Sequence, residues 1–475
     1  LHPWQDCGAA AEKCGGRQDQ MMVKFLFFDL REVETLQGFQ RKPQQPVKHP
    51  GPLMLADRPW ENGNMQLYGS VVKPPAGPFQ LWYSVIHPPW KMLLAYAESD
   101  DGIHWRRPEL DIFEHEGHRT NIVFTRDPHG PAVIYDERET RDGWRYKMLC
   151  GASPSHAICA FRSPDGIRWE PVRRFPVLPT NPDCPMGLLR TPDGRFAALH
   201  RVDGYGRRVF RSESWDFLHW SGEPRMILEP DAGDPPQTQF YGMGAVPYGP
   251  YEIGTLWIYR TEAKDMGTSK MRGIQYPEFA YARGGFAWHR AAQGVPFIPN
   301  GGEGDWDRGN LQCASAPVFL PEEIRFYYAG TSARHQTSWE LQPQQAGLGM
   351  ATIKPDRFVA LEAGDEEAEL LTVAFRPDGD CLFLNVRTGA EGFVKVELLD
   401  REARPLPGHS LQECRPVTGD GTALQAVWNG AGQSRLPSGA PVRLRVRARH
   451  AAIFSIFCCR PEEAEDYRSF TSPLP

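Results

Sequence analysis

Short runs of Val, Ile, Leu, Tyr and Phe alternate along the chain with clusters of Pro, Gly and Asp. The runs "QLYGSVV" (66–72), "FQLWYSVI" (79–86) and "MLLAYAES" (92–99) follow one another in this way, as do "AVIYDE" (132–137), "RYKMLC" (145–150) and "AICAFRS" (157–163). β-Branched and aromatic residues in runs this short, bounded by turn formers, predict antiparallel strands. The three- and four-residue spacing of an amphipathic helix is nearly absent.

Each set of strands ends in a similar turn. "SDDGIHW" (99–105) returns as "SPDGIRW" (163–169), and weaker copies end at Trp220 ("SESWDFLHW") and surround Trp288 ("YARGGFAWHR"). A degenerate fifth copy, "GLGMATIKPDRFVAL", carries Phe358. Three or four strands per unit, repeated five times, describe a five-bladed β-propeller over residues 21–361, in which radial repetition leaves only short sheet edges. In the turn, Asp-Gly supplies the positive φ and the Trp fills the gap between sheets, so Asp101 and Asp165 are structural. After Leu361 the alternating runs "LLTVAF", "CLFLNVRT", "FVKVELLD", "PVRLRVRAR" and "AIFSIFCC" lack that turn and predict a C-terminal β-sandwich over 362–475, with the acidic stretch 362–369 as linker. Residues 1–20 read as an extension, and "FLFFDLREVE" as a strand that completes a blade or packs beneath the propeller. The fold class is therefore all-β.

Composition narrows the partners. A net charge of −6 gives no basic face for nucleic acid or a membrane surface. No apolar run reaches the roughly 18 residues of a spanning helix, and "MMVKFLFFDL" carries a Lys and an Asp and reads as a strand. The 10 cysteines show no metal-ligand spacing, so neither a metal nor a cofactor is expected. Cys150, Cys159 and Cys381 sit in strand-like runs as buried thiols of a reduced compartment, while Cys7 and Cys14 would close a small loop after export. Both a cytoplasmic and an exported setting are compatible with this pattern, and no oligomeric state follows from it.

In a propeller the first strand of each blade lines one central channel, and the residues at those strand starts converge. Unit one offers Asp57, Arg58, Trp60 and Glu61 from "ADRPWENGN", and unit two Arg126, Asp127 and His129 from "TRDPHG". Unit three offers Asp183, unit four Gln239 and Tyr241, and unit five Asp307 and Arg308. Carboxylates for acid and base work, aromatics for a ring face and polar groups for hydroxyls suit an oligosaccharide or polysaccharide.

At this point the chain resembles the five-bladed glycoside hydrolases of families 32, 43 and 68, and in layout family 32 with its C-terminal β-sandwich, over roughly residues 21–460. The family's Arg-Asp-Pro triplet on the second blade is matched by Arg126-Asp127-Pro128, and its Glu-Cys-Pro triplet on the third by Asp183-Cys184-Pro185 with a shorter acid. The resemblance implies that Asp127 grips sugar hydroxyls and steadies the transition state, and that Asp183 is the general acid. The family's Trp-Met-Asn-Asp-Pro-Asn-Gly box is absent, and Glu61 of "PWENGN" is the nearest carboxylate for nucleophile or base.

Each residue has a plainer reading beside this one. Asp127 before Pro and Asp183 after Asn-Pro both fit capped turns. Glu61 is also a loop acid beside Trp60, Asp57 a partner for Arg58, His129 a structural histidine and Cys184 a packed thiol. Arg126, Gln239, Tyr241 and Asp307 enter as binding residues by position. The leading expectation is a glycoside hydrolase, with furanosides such as fructosides or arabinosides favoured. The alternatives are a non-catalytic carbohydrate-binding propeller and a sugar phosphorylase with Arg126, Arg201 and Arg308 as phosphate ligands.

Overall fold

The computed structural model describes residues 24–87, 91–152, 157–173, 176–178, 182–202, 206–261, 273–335, 345–429, 435–437 and 439–464. Among these the protein is all-β, with only two three-residue 3-10 turns, Pro59–Glu61 and Pro461–Glu463, between the strands. It divides into two compact bodies, one made of Leu26–Asp29 and Gln40–Glu362, the other of Leu30–Phe39 and Ala363–Ala464 with the described end of Leu1–Phe25.

In the first body the described strands fall into successive antiparallel groups. The first contains Gln66–Val72, Phe79–His87, Lys91–Ser99 and Ile122–Phe124, the second His129–Tyr135, Tyr146–Gly151, Ile158–Ser163 and Glu170–Pro171. The third contains Pro182–Arg190, Phe196–Val202, Val209–Ser214 and Arg225–Leu228, the fourth Thr238–Tyr248, Tyr251–Thr261, Gly273–Arg283 and Ala287–Arg290. The fifth is built on Asn310–Cys313, Ile324–Thr331 and Ala346–Ile353, and its last strand pairs with Val47–Lys48 and Met54–Leu55 from the other end of the body. Groups four and five share one sheet through a single parallel pairing, Gln275 with Asn310.

The first strands of the groups meet side by side, and glycine makes the approach possible. A Cβ on Gly130 would stand 2.7 Å from Cys184 Cα, one on Gly187 2.6 Å from the Met243 carbonyl oxygen, and one on Gly244 2.6 Å from that of Ser315. Ser315 N donates to Gly69 O at 3.0 Å, and Val133 N donates to Ser70 Oγ at 2.8 Å, so group one touches both group five and group two. Backbones this close leave no room for a side chain at those points, which is why glycine and serine stand there.

The repeated turn is a clamp between groups. In "SPDGIRW" the Asp165 carboxylate accepts from Ile167 N (2.8 Å), Arg168 N (2.9 Å) and Ser163 Oγ (2.9 Å). Asp101 and Asp216 accept from the equivalent amides of their own turns, each bond 2.8 Å. The next position has positive φ each time: Gly102 (75°), Gly166 (78°), Phe217 (68°) and Gly285 (75°). From there the turn reaches another group. Gly166 O accepts from Trp82 Nε1 of group one (2.7 Å), and Gly102 O from Tyr327 OH of group five (2.9 Å). Gly285 O accepts from Arg211 Nη1 of group three (3.3 Å). In the degenerate fifth copy Asp356, at φ 66°, accepts from Tyr248 OH of group four at 2.6 Å. Trp220 and Trp288 are buried behind these turns, whereas Trp105 and Trp169 are only half-buried.

Phe28 of "FLFFDLREVE" is fully buried among Tyr248, Tyr251, Phe279, Tyr281 and Phe358, while Val33–Gln37 pairs with Ala368–Thr372 in the second body. That segment therefore serves both bodies instead of forming one strand. The acidic stretch read as a linker mostly joins the strands Val359–Ala363 and Ala368–Thr372. In the second body, Ala368–Thr372, Cys381–Leu399, Asp420–Gln425 and Arg443–Cys459 belong to one hydrogen-bonded antiparallel sheet. Register shifts at Asn385/Val386 and Thr388/Phe393 interrupt its longest pairing, where bulges bend the strands. Cys150 and Cys381 are buried free thiols and Cys159 is half-buried. Cys7 and Cys14 lie outside the described residues.

Candidate functional site

The residues proposed for the channel part company in the structure. Glu61 ends the short turn Pro59–Glu61, which Pro59 starts by fixing its own φ. Its side chain is fully buried. Oε1 accepts from Tyr83 OH at 2.6 Å and lies 2.9 Å from Arg107 Nε, while Oε2 accepts from Arg58 N at 3.0 Å and from Arg107 Nη2 at 3.2 Å. Burial pushes the carboxyl up from its ordinary value against the opposing pull of Arg107 and Tyr83. Burial also pushes the Tyr83 hydroxyl well up, and Glu61 adds to it. Asp57 is exposed and caps the same arginine, 3.1 Å from Nη1. Asp307 is buried as well, accepting from Tyr328 OH at 2.9 Å and paired with Lys48 Nζ at 2.5 Å. Glu61 and Asp307 are thus occupied as fasteners, one within group one and one between group five and the strand that closes it. Arg126 is exposed and lines a different cleft with Phe124, Ile167 and Trp169. Arg308 donates to Ser332 O at 3.2 Å.

His129, Gln239 and Tyr241 do come together. They surround a buried floor of Tyr68, Cys184, Met186, Tyr241, Trp257 and Tyr259, contributed by the first strands of groups one, three and four and the second strand of group four. The rings of Tyr68 and Tyr241 are parallel within 4°, centroids 6.3 Å apart, and Trp257 stacks on Tyr68 at 5.8 Å. Cys184, on a left-handed backbone at φ 45°, sets its Sγ 3.1 Å from His129 Nδ1. Arg201 Nη2 donates to the same sulfur at 3.0 Å, and the Arg201 guanidinium lies 4.8 Å from the Tyr241 ring centre. Arg207 covers Tyr241 at 4.9 Å and donates to Gln239 Oε1 at 2.7 Å. His335, following the second strand of group five, meets Tyr241 OH through Nε2 at 2.9 Å. Every group thus sends a side chain to this point.

The electrostatics follow from that packing. Burial lifts the Tyr68 hydroxyl well above its ordinary value, Tyr241 and Cys184 add to the lift, and Arg201 opposes it. Burial pushes Tyr259 up to about 12, against Arg207. Tyr68 and Tyr259 are therefore neutral donors and acceptors near neutral pH. Asp127 stands at the edge of the floor, half-exposed at φ 53°, and accepts from Met92 N at 2.8 Å. Met92 itself packs on the floor. The Asp183 side chain lies outside the described residues; its backbone belongs to the strand Pro182–Arg190, in register opposite Arg201.

Sequence reasoning missed Tyr68, Arg207, Tyr259 and His335, and set Cys184 aside as packing. The available signal was positional: Tyr68, like Tyr241, stands near the start of a first strand, and Arg201 is cross-strand from a residue already chosen. Among the described residues no group of three or more His, Cys, Asp or Glu could hold a metal ion, and no helix is long and apolar enough to cross a membrane.

No known family model matches the chain, and no curated protein does. Among solved structures it is similar to a glycosyl hydrolase from Bacteroides ovatus, at 15% identity and TM-score 0.44, with 69% of this chain and 98% of that one covered. It is also similar to a thermostable family-43 glycoside hydrolase (12% identity, TM-score 0.44, 66% and 95% covered). A third is a GH62 hydrolase solved with xylotriose (14% identity, TM-score 0.44, 66% and 99% covered).

Proposed function

We propose that the first body is a five-bladed propeller and a glycoside hydrolase, acting on an oligosaccharide or polysaccharide where its first strands meet. The convergence of Tyr68, His129, Cys184, Tyr241 and His335 from all the strand groups, with Asp127 at the edge, carries this reading. Aromatic, imidazole and guanidinium groups around one half-exposed carboxylate suit a ring bearing hydroxyls. Hydrolysis needs a carboxyl that delivers a proton to the glycosidic oxygen and a second that attacks the anomeric carbon or activates water. Glu61 is held in its ion pair, so Asp127 and Asp183 are the pair to which we assign that work. The Arg-Asp-Pro and Asp-Cys-Pro triplets are the link to family 32 and the reason to try furanosides first.

One observation favours a second reading, a carbohydrate-binding propeller without turnover. Two of the acids expected at the channel, Glu61 and Asp307, are neutralised in buried pairs with Arg107 and Lys48. Activity on aryl furanosides and pyranosides, fructans, arabinans and xylotriose, with and without phosphate, separates the cases. Cleavage abolished by Asp127→Asn and Asp183→Asn supports the hydrolase. Binding without cleavage leaves the second reading, phosphate-dependent cleavage makes the protein a phosphorylase, and neither binding nor cleavage removes carbohydrate from the account.

A further inference from the structure

Beside the floor, where group one meets group five, a narrow cleft is lined by Asn64, Gln66, Asn310, Gln312, Thr331 and His335. Its character is set by carboxamides, and two of the side chains that line it have a buried carbonyl oxygen with no partner, Asn64 Oδ1 and Asn310 Oδ1; behind Gln312, Gln275 Nε2 has none either. Asn64 is 6% exposed, Asn310 4% and Gln275 0%. Asn310 Nδ2 donates to Ala333 O at 2.9 Å, which leaves its Oδ1 as the open acceptor. Gln275 Oε1 accepts from Gln312 Nε2 at 3.2 Å, which leaves its Nε2 as the open donor, and Gln275 is the register partner of Asn310. Asn64 is fixed from the other side, its backbone N donating to Glu61 O at 2.8 Å.

A folded chain seldom leaves buried amides unpaired, because each keeps the full cost of losing water. The two carbonyl oxygens in the lining describe the ligand that completes them. It supplies hydrogen to a carbonyl oxygen, which a hydroxyl does with its one O–H and an ionised phosphate or carboxylate does not, and the lining residues include no carboxylate to pair with an ammonium. The free volume of about 20 Å³ takes one hydroxyl or one water, not a sugar ring. His335 contacts Tyr241 OH, so the cleft opens beside the floor.

We infer that this cleft is a hydroxyl-reading subsite, which admits one hydroxyl of a neutral sugar whose ring lies over the floor. The inference rests on the carbohydrate reading above and adds a requirement to it, that the substrate present an uncharged hydroxyl at this position. A neighbouring ring hydroxyl or one retained water serves the remaining carbonyl.

The test is oligosaccharide binding by the full chain, measured by saturation-transfer NMR and calorimetry with xylotriose, arabinotriose and levan oligosaccharides, for the wild type, Asn64→Leu and Asn310→Leu. The expected result is at least tenfold weaker binding by either variant, with the melting temperature unchanged or raised in Asn64→Leu, where an unpaired buried oxygen gives way to an apolar group, and lowered in Asn310→Leu, which also loses its bond to Ala333 O. Should a variant fail to fold, singly deoxygenated forms of the sugar that binds best are measured on the wild type. One deoxygenation should cost tenfold or more. Unchanged affinity in the variants, or across the deoxy series, overturns the subsite and assigns the cleft to a structural water, with the carbohydrate reading intact. A wild type that binds none of the sugars overturns that reading and the subsite together.

Discussion

Gly166 is the position where the clamp between strand groups is most exposed to test. Its φ of 78° already disfavours any L-residue, at about 1–2 kcal/mol for leaving the right-handed regions. A Cβ there would also stand 2.6 Å from Cζ2 of Trp82, whose ring is fully buried and whose Nε1 is tied to Gly166 O. Neither side can yield cheaply, and forced overpacking of a filled site adds about 1–3 kcal/mol. Gly194 is the control, with φ 90° and nothing within 4 Å of its added Cβ, so it bears the backbone cost alone. Gly166→Ala should therefore lose about 2 kcal/mol more than Gly194→Ala, a gap of about 3 °C in melting temperature for a body of this size. Thermal and urea unfolding of the two variants, followed by near-ultraviolet circular dichroism, measure it. Equal losses would mean that Trp82 moves aside freely and that the turn does not hold one group to the next.

The same turn has an acid signature: burial opposes the Asp165 charge, but the amides of Arg168 and Ile167 and the Ser163 hydroxyl outweigh it and hold the carboxyl below its ordinary value. A depressed carboxylate stabilises the fold above its unfolded pKa, about 3.9, and loses that contribution as pH falls toward the folded value. The melting gap between wild type and Asp165→Asn should thus be full at pH 7 and close below about pH 4; a gap independent of pH would contradict the bonding. Gly130→Ala would place a Cβ 2.7 Å from Cys184 Cα on a backbone at φ 61°, and should cost about 2–4 kcal/mol while lowering sugar binding more than tenfold, readable by calorimetry. Asp307→Asn leaves Lys48, whose side chain is 24% exposed, without its partner. The loss should be about 2 kcal/mol, with faster hydrogen exchange at Val47–Lys48.

What could be read from the chain was what is local. Ser163, Asp165 and Gly166 bond within a few residues of one another, so the turn's spelling and its geometry coincide, and the strand groups follow from counting its copies. Phe217 shows the limit: it takes the glycine's left-handed position in the third copy, because a fully buried ring repays the backbone cost. The site was legible only as a set of strand starts. Glu61 and Asp307 look like any loop acids until Arg107 and Lys48, far away in sequence, arrive to neutralise them. Tyr68, Arg207 and His335 carry no motif, and only the meeting of first strands gathers them. His129, Gln239 and Tyr241 lie near one another because position along a strand, unlike charge, survives folding.

The fifth group is finished by residues from the opposite end of the body, Val47–Lys48 and Met54–Leu55 pairing along Ala346–Ile353. During synthesis those early strands leave the ribosome roughly 15–60 s before their partner, at the usual 5–20 residues per second. In that interval groups one to four can fold from neighbouring residues, while Val47–Lys48 and Met54–Leu55 lack the strand they pair with, and an unpaired edge is the form most prone to pair with another chain. Completion of group five is a late event, and it waits for Ile353.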